Sequence, residues 1–257
     1  MKTEISKIQA NVSNLYEQFN QGIYYDDLFD RFFALQTEIE IKEPTQVRLP
    51  RLNSSERQHF FELTSNLQFA EGKISDEDLA FLLKYIGNRD PKIRDTGVYF
   101  TLLSLFKNQQ ITNEQVVWLK NYLLQDDVLF FHILEPENDG VFTRSFAVLF
   151  LSLVIDQDQS NFHVLELSDY EEIQERMATY ILLEQDGRGF VAEKGWAHVY
   201  SHLGGFFQGF IKEDIPRSGK MFLFNILLFG YLQSKDSLAF GEDRVIAGSI
   251  LSLMQRD

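Results

Sequence analysis

Residues 143–155 read TRSFAVLFLSLVI, a run with no glycine or proline to break it and with apolar residues at helical spacing, as a helix with a largely apolar face requires. Arg144 leads the run, and the small Ala147 follows three positions on. The same order recurs. Arg94 leads IRDTGVYFTLLSLF at 93–106 with Gly97 in the small position, and Arg244 leads DRVIAGSILSLM at 243–254 with Ala247. These leading arginines lie 50 and 100 residues apart, and the missing rung falls at Lys194, with Ala197 small and GWAHVYSHLGGFFQGF at 195–210 as its helix. A fixed period of this kind marks stacked helical hairpins, in which each unit buries its apolar face only against its neighbours. The expected fold is all-α: a helical-hairpin solenoid, or α-α superhelix.

The segments between the rungs suit that expectation. Apolar spacing predicts helices over 4–20 and 24–39, an N-terminal hairpin. Residues 41–53, with Pro44 and Pro50, break the pattern and read as a linker or a loop across the surface. The chain is therefore expected to divide at that point, 1–53 as helical hairpin and linker and 54–257 as the helical-repeat domain. Ser54 and Ser55 with Gln58 predict a helix to about Glu71, and Ser75 with Asp78 another that ends near Gly87 in a left-handed turn. Thr112 with Gln115 and Ser168 with Glu171 have the spacing of capping boxes, Asp126–Leu134 continues apolar, and Pro216 fits the first turn of a helix to about Leu232. The segment RDPKIRDTGVYFTLLSLF at 89–106 resembles the second helix of a HEAT repeat, with Asp90 before Pro91 and Arg94 four residues after the aspartate. That resemblance implies a HEAT-like array.

Charge and composition narrow the function. The net charge of −14 repels phosphate backbones and anionic leaflets, and no Lys/Arg-rich run is long enough to reverse that field, so neither nucleic acid nor membrane is an expected partner. With no cysteine there is no thiolate metal site, Cys nucleophile or disulfide, which suits a reducing compartment. The opening MKTEISKIQANVSNLYEQF has no apolar signal-like core, and the longest apolar runs, Phe146–Ile155 and Phe222–Gly230, are short for a bilayer. The expected setting is the cytoplasm. Phosphate-loop, Rossmann, nucleophile-elbow and zinc-protease motifs are all missing.

The polar residues with no place in this pattern gather in EQDGRGFVAEKGWAHVYSH at 184–202. If the helix of that rung begins at Gly195, His198 and His202 lie four apart on one face, where Val98 and Val148, Leu102 and Ser152 stand in the sister helices. An imidazole on such a face needs a partner. The junctions before the helices, 88–90, 138–140, 186–189 and 241–243, are all polar, and stacking would line them along one edge. Asp90, Asp139 and Asp243 read as caps. The expected ligand-binding set is Arg144, Glu184, Asp186, Arg188, Trp196, His198 and His202, with the two arginines shaped for bidentate carboxylate or phosphate contacts. For catalysis the candidates are His198 or His202 as base, oriented by Glu184 or Asp186. Two imidazoles supply only half a zinc shell, so no metal and no cofactor is expected. His132 and Glu135 form a second polar pair, three apart.

The string E-x-D-x-R-G at 184–189 followed by GWAHVYSH, with TRSFAVLFL upstream and EDRVIAG near the end, resembles a bacterial family known as domain of unknown function 2785. The resemblance covers roughly residues 50–257, and GWAH with the second histidine four on is its most specific part. The family pattern often places an aspartate three residues after the second histidine, where this chain has Gly205. What the resemblance implies is an all-helical fold and a shared pocket around Glu184, Arg188, Trp196, His198 and His202. The functional expectation is a cytoplasmic helical-repeat protein that binds a protein, peptide or small molecule at that pocket; the alternative is a hydrolase or lyase, with or without a metal, using the histidines with Glu184 or Asp186.

Overall fold

Helical periodicity is realised along about two thirds of the chain in the computed structural model, which describes residues 2–23, 26–67, 72–212, 215–236 and 238–254. The protein is mostly helical, with twelve α-helices among the described residues. They are α1 Lys2–Asn20, α2 Leu28–Thr37, α3 Ser54–Leu67, α4 Asp76–Leu83, α5 Phe100–Lys107, α6 Asn113–Leu123, α7 Asp126–Leu129, α8 Gly140–Gln157, α9 Leu167–Leu183, α10 Val199–Phe210, α11 Arg217–Gln233 and α12 Glu242–Met254. Wider π-helical turns at Lys92–Tyr99 and Asp158–Phe162 lead into α5 and extend α8.

The run at 143–155 forms the centre of α8, and all of it is buried except Thr143, Leu149 and Ser152, which are half-buried. On one side α8 packs against α10, which in turn packs against α12; α6 and α7 pack on α8, and α11 on α9. The continuous helix 140–162 is long and apolar enough by composition to cross a membrane, which its shorter apolar run does not suggest. Its most apolar window is 72% buried inside the protein, and that burial accounts for the composition. From the N-terminal hairpin, α1 lies on α9 and α11. Tyr16, Phe19 and Phe32 meet the Phe222 ring at 5.3–5.6 Å, so one hydrophobic core runs from Ile5 to Ile246.

Between the hairpin and α3, residues 40–53 form a strap without regular secondary structure. The backbone N–H of Lys42 donates to Leu134 O at 2.7 Å, Thr45 donates twice to the Glu135 carboxylate, and Asn88 Nδ2 donates to Pro50 O at 3.0 Å. The strap is thus tied across the starts of the later helices.

Several local expectations shift. The expected helix 24–39 is seen from Leu28; residues 24–25, like 68–71 with Glu71, lie outside the described residues. Asn53 rather than a serine caps α3, its Oδ1 accepting from Glu56 N at 2.9 Å while Glu56 returns the bond. At α9 the reciprocal pair is Glu166 with Asp169, two residues before Ser168 and Glu171. The boxes at Thr112/Gln115 and the cap at Ser75 stand where the sequence puts them. The apolar stretch after Asp126 stays helical only to Leu129. Gly87 does not turn left-handed; it is a glycine because Thr143 of α8 sits against it and a Cβ would collide.

The largest correction concerns the rung at Lys194. Residues Gly195–Trp196 are not helical but form a short antiparallel strand pair with Phe190–Val191. Gly195 (φ +79°) faces Pro91 and Arg94, a close approach in a backbone conformation that side chains strain to adopt. Helix α10 begins only at Val199, and His198, in the left-handed region at φ 53°, stands just before it. The rungs also differ in environment: Arg94 and Arg144 are fully buried, whereas Arg244 and Ala247 are exposed.

Candidate functional site

Two clusters occupy the neighbourhood of 184–202. The first is ionic. Arg144 Nε and Nη2 donate to the two Glu184 oxygens at 2.7 and 2.8 Å, and its Nη1 donates to Phe131 O at 2.7 Å. Tyr180 donates its hydroxyl to Glu184 Oε2 at 3.0 Å, and the backbone N–H of Asp186 donates to Oε1 at 3.1 Å. Burial opposes charge on Arg144, but the Glu184 carboxylate outweighs it and holds the guanidinium above its ordinary value. Burial, reinforced by Glu184, pushes the Tyr180 phenol well up, which keeps it a donor. Beside this pair Arg188 makes its own bidentate bridge to Asp186 (2.7 and 2.6 Å), donates to Asn138 O at 2.6 Å and reaches Glu137 at 3.0 Å. Asp139 takes Lys194 on both oxygens and Arg89 at 2.5 Å. The junctions at 88–90, 138–140 and 186–189 do meet along one edge, through Arg89, Asp139, Lys194 and Arg188.

The second cluster is aromatic and imidazole. Trp196 and His198 stack at 4.1 Å with planes 2° apart, and Phe190 and Phe240 meet the indole edge-on at 4.9 and 5.0 Å. The Arg94 guanidinium sits over the Phe142 and Phe146 rings and donates to the carbonyls of Lys194 and Trp196, fastening the strand pair to the core. The backbone N–H groups of Ala197 and His198 both donate to Gly189 O, at 2.7 and 3.2 Å. The two imidazoles lie 5.9 Å apart.

His202 Nδ1 lies 2.8 Å from Ser145 Oγ and 3.1 Å from Ser145 O. A backbone carbonyl only accepts, and Ser145 Oγ donates its own proton to Ala197 O, so Nδ1 carries the ring hydrogen and Nε2 is a bare lone pair. Among the described residues nothing donates to that lone pair. Burial, the neighbouring His198 and Arg94 push the ring's pKa down to about 3, against one opposing bond from Ser145, so it is neutral at any physiological pH. The His198 pKa is also lowered, by burial, with Glu242 pulling the other way. Two buried polar atoms here have no hydrogen-bond partner, His198 Nδ1 and Glu242 Oε1. Both residues border Gly189: its carbonyl takes the His198 N–H, and a Cβ there would stand 3.2 Å from Glu242 Oε1. Glu242 Oε2 accepts from Phe240 N at 2.8 Å.

The seven residues expected to share one pocket are therefore sorted into two sets, Arg144, Glu184, Asp186 and Arg188 in the ionic cluster and Trp196, His198 and His202 in the other. Glu184 and Asp186 orient arginines, not imidazoles. A cavity of about 280 Å³ touches Glu184, with Tyr200, Gln233 and Lys235 in its wall, and neither imidazole lines it. No three His, Asp or Glu side chains gather to hold a metal ion among the described residues. His132 and Glu135 do pair, at 2.6 Å, in a turn rather than on a helix, and they hold Thr45 of the strap. The sequence reading misses Ser145, Arg94, Phe240 and Glu242. For Glu242 the only signal was its place in a polar junction, which reads as capping.

No curated protein and no solved structure matches this chain. A family model does, over residues 129–257, a span from α7 to the C-terminus that begins later than the motif resemblance suggests and holds both clusters apart from Arg89 and Arg94. With half of its length matched, the chain belongs to the family described as protein of unknown function DUF2785.

Proposed function

We propose that this protein is a HEAT-like α-α superhelix acting as a cytoplasmic binding module, and that the Trp196–His198–His202 face takes its ligand, a protein, peptide or small molecule. The row α8–α10–α12, flanked by α6 on α8 and by α11 on α10, supports the superhelical reading. One observation carries the binding reading: His202 is held neutral with its Nε2 lone pair unbonded, beside a second half-buried imidazole and two phenylalanines about half exposed (Phe190 51%, Phe240 49%). A lone pair fixed in direction and flanked by apolar rings suits a ligand that brings an N–H or O–H donor on an apolar body. Arg144, Glu184, Asp186 and Arg188 then hold the face in place from behind. Nucleic acid, membrane and cofactor play no part in this reading.

A second reading keeps the enzyme alternative alive with different residues. His198 Nδ1 and Glu242 Oε1 are both unpaired and lie around one glycine, so a modest side-chain shift would make an imidazole–carboxylate dyad of the kind that serves general-base hydrolysis or elimination. Glu242 would fill the orienting role expected of Glu184 or Asp186.

The test is capture from lysate, read together with the ring-nitrogen resonances of the two histidines. The binding reading expects His198→Ala to keep the helical signature of the wild type and lose the captured partner, and the partner to shift both ring signals in the wild type. Undiminished capture by the variant, or unmoved ring signals, counts against it; turnover of a captured small molecule would favour the dyad.

A further inference from the structure

The strap bounds a second site, away from both histidines. A cavity of about 570 Å³ lies between residues 46–51 and the junction Asn88-Arg89-Asp90. In a chain of charge −14, three of its nine wall residues are arginines: Arg48, Arg51 and Arg89. Arg48 and Arg51 are exposed and, among the described residues, form no ion pair or hydrogen bond, unlike the arginines of the ionic cluster. Arg89 spends one edge on Asp139. The wall is built rather than incidental: Asn88 holds Pro50 O with its side-chain amide and takes Asp90 N on its Oδ1 at 2.9 Å, while Val47 is buried beneath. Leu49, Pro50 and Val47 supply an apolar side, and the Asp90 carboxylate, 3.9 Å from Arg57, supplies an acceptor.

We propose that this cavity binds a small organic phosphate, its phosphate between the Arg48 and Arg51 guanidiniums and its remainder against Leu49 and Pro50. Guanidinium forks match phosphate oxygens in pairs, and the volume is that of an ordinary metabolite site. Size decides between phosphate sources. A long polyanion would have to lie along a surface of strongly negative net charge, whereas a compact one feels chiefly the charges within a screening length of about 8–10 Å. The site does not depend on the histidine face: either can fail while the other stands.

The experiment is calorimetric titration of the full chain with inorganic pyrophosphate at an ionic strength of about 0.1–0.15 M, alongside Arg48→Gln/Arg51→Gln and a control, Arg217→Gln/Arg244→Gln, that removes equal charge elsewhere. Saturable binding that the cavity variant weakens about tenfold or more, and the control leaves within a factor of about two, is the expected result. No binding to the wild type, equal loss in both variants, or binding of an acidic hexapeptide in place of pyrophosphate overturns the proposal. Unchanged melting of the cavity variant excludes misfolding as the cause, since both side chains are exposed and free.

Discussion

The two clusters at 184–202 use similar residue types to opposite ends. Along the ionic edge the donors of Arg144 and Arg188 meet carboxylates and carbonyls, and Glu184 is met by an arginine, a tyrosine and a backbone amide. On the imidazole face bonding capacity is left over: the His202 Nε2 lone pair, His198 Nδ1 and Glu242 Oε1. Charge is what draws the eye in the sequence, yet in the structure most of the charged residues act as the staple, and the unspent capacity sits next to it on two imidazoles and one carboxylate oxygen. A buried polar atom without a partner costs about 1–3 kcal/mol, so a fold that keeps two of them together carries a cost that ligand binding can offset.

The staple can be broken directly, and that is the largest effect expected. Arg144→Met leaves Glu184 buried with its charge uncompensated and should destabilise the protein by about 3–5 kcal/mol in denaturant unfolding. The double variant Arg144→Met/Glu184→Leu removes both charges and should recover a good part of that loss, since an apolar pair of similar volume avoids the desolvation of two ions. A single variant that costs under about 1 kcal/mol would mean the pair is not what joins α8 to the end of α9.

Next comes the imidazole face, through pH. His202 titrates near 3 in the fold and near 6.5 in an unfolded chain, so between those values the unfolded state binds more protons. The stability due to its neutral ring is complete above about pH 6.5 and drains away as pH falls toward 3, by on the order of 2–4 kcal/mol. His202→Gln keeps a donor near Ser145 but does not titrate, so its unfolding free energy should fall less steeply across that window. Carboxylates that titrate in the same range contribute equally to both proteins and cancel in the difference. Parallel pH profiles would show that the ring is solvated, and the fixed lone pair of the binding reading would go with it.

How much of this the sequence discloses depends on the range of the interaction. The Thr112/Gln115 box and the Ser75 cap are legible because donor and acceptor sit three residues apart. The caps at α3 and α9 are displaced because polar residues crowd those junctions, and Asn53 and Glu166 find reciprocal partners that the serines do not. That Arg144 seeks a planar acceptor is readable from its chemistry; that the acceptor is Glu184, forty residues on, is not. The histidine spacing misleads because the helix is expected to begin at Gly195, where the chain instead makes a strand pair and enters α10 only at Val199. Glu242 could not be found at all, since nothing local links it to His198.

The smallest expected effect separates neighbours within α10. Gly204 is pressed against Val245 of α12, whose Cγ1 lies where a Cβ would go, whereas Gly205 has open space around it. Gly204→Ala should therefore push α12 away and cost about 1–3 kcal/mol, even though alanine is the better helix former by about 1 kcal/mol. Gly205→Asp, which restores the aspartate often found three residues after the second histidine in the family pattern, should change stability by less than about 1 kcal/mol. One helical turn from His202, the new carboxylate favours the charged imidazole, so the ring should titrate at higher pH in that variant. NMR titration of the ring reads this directly. A resonance that does not move would mean that position 205 faces away from the imidazole, and that the aspartate of the family pattern serves the helix surface rather than the site.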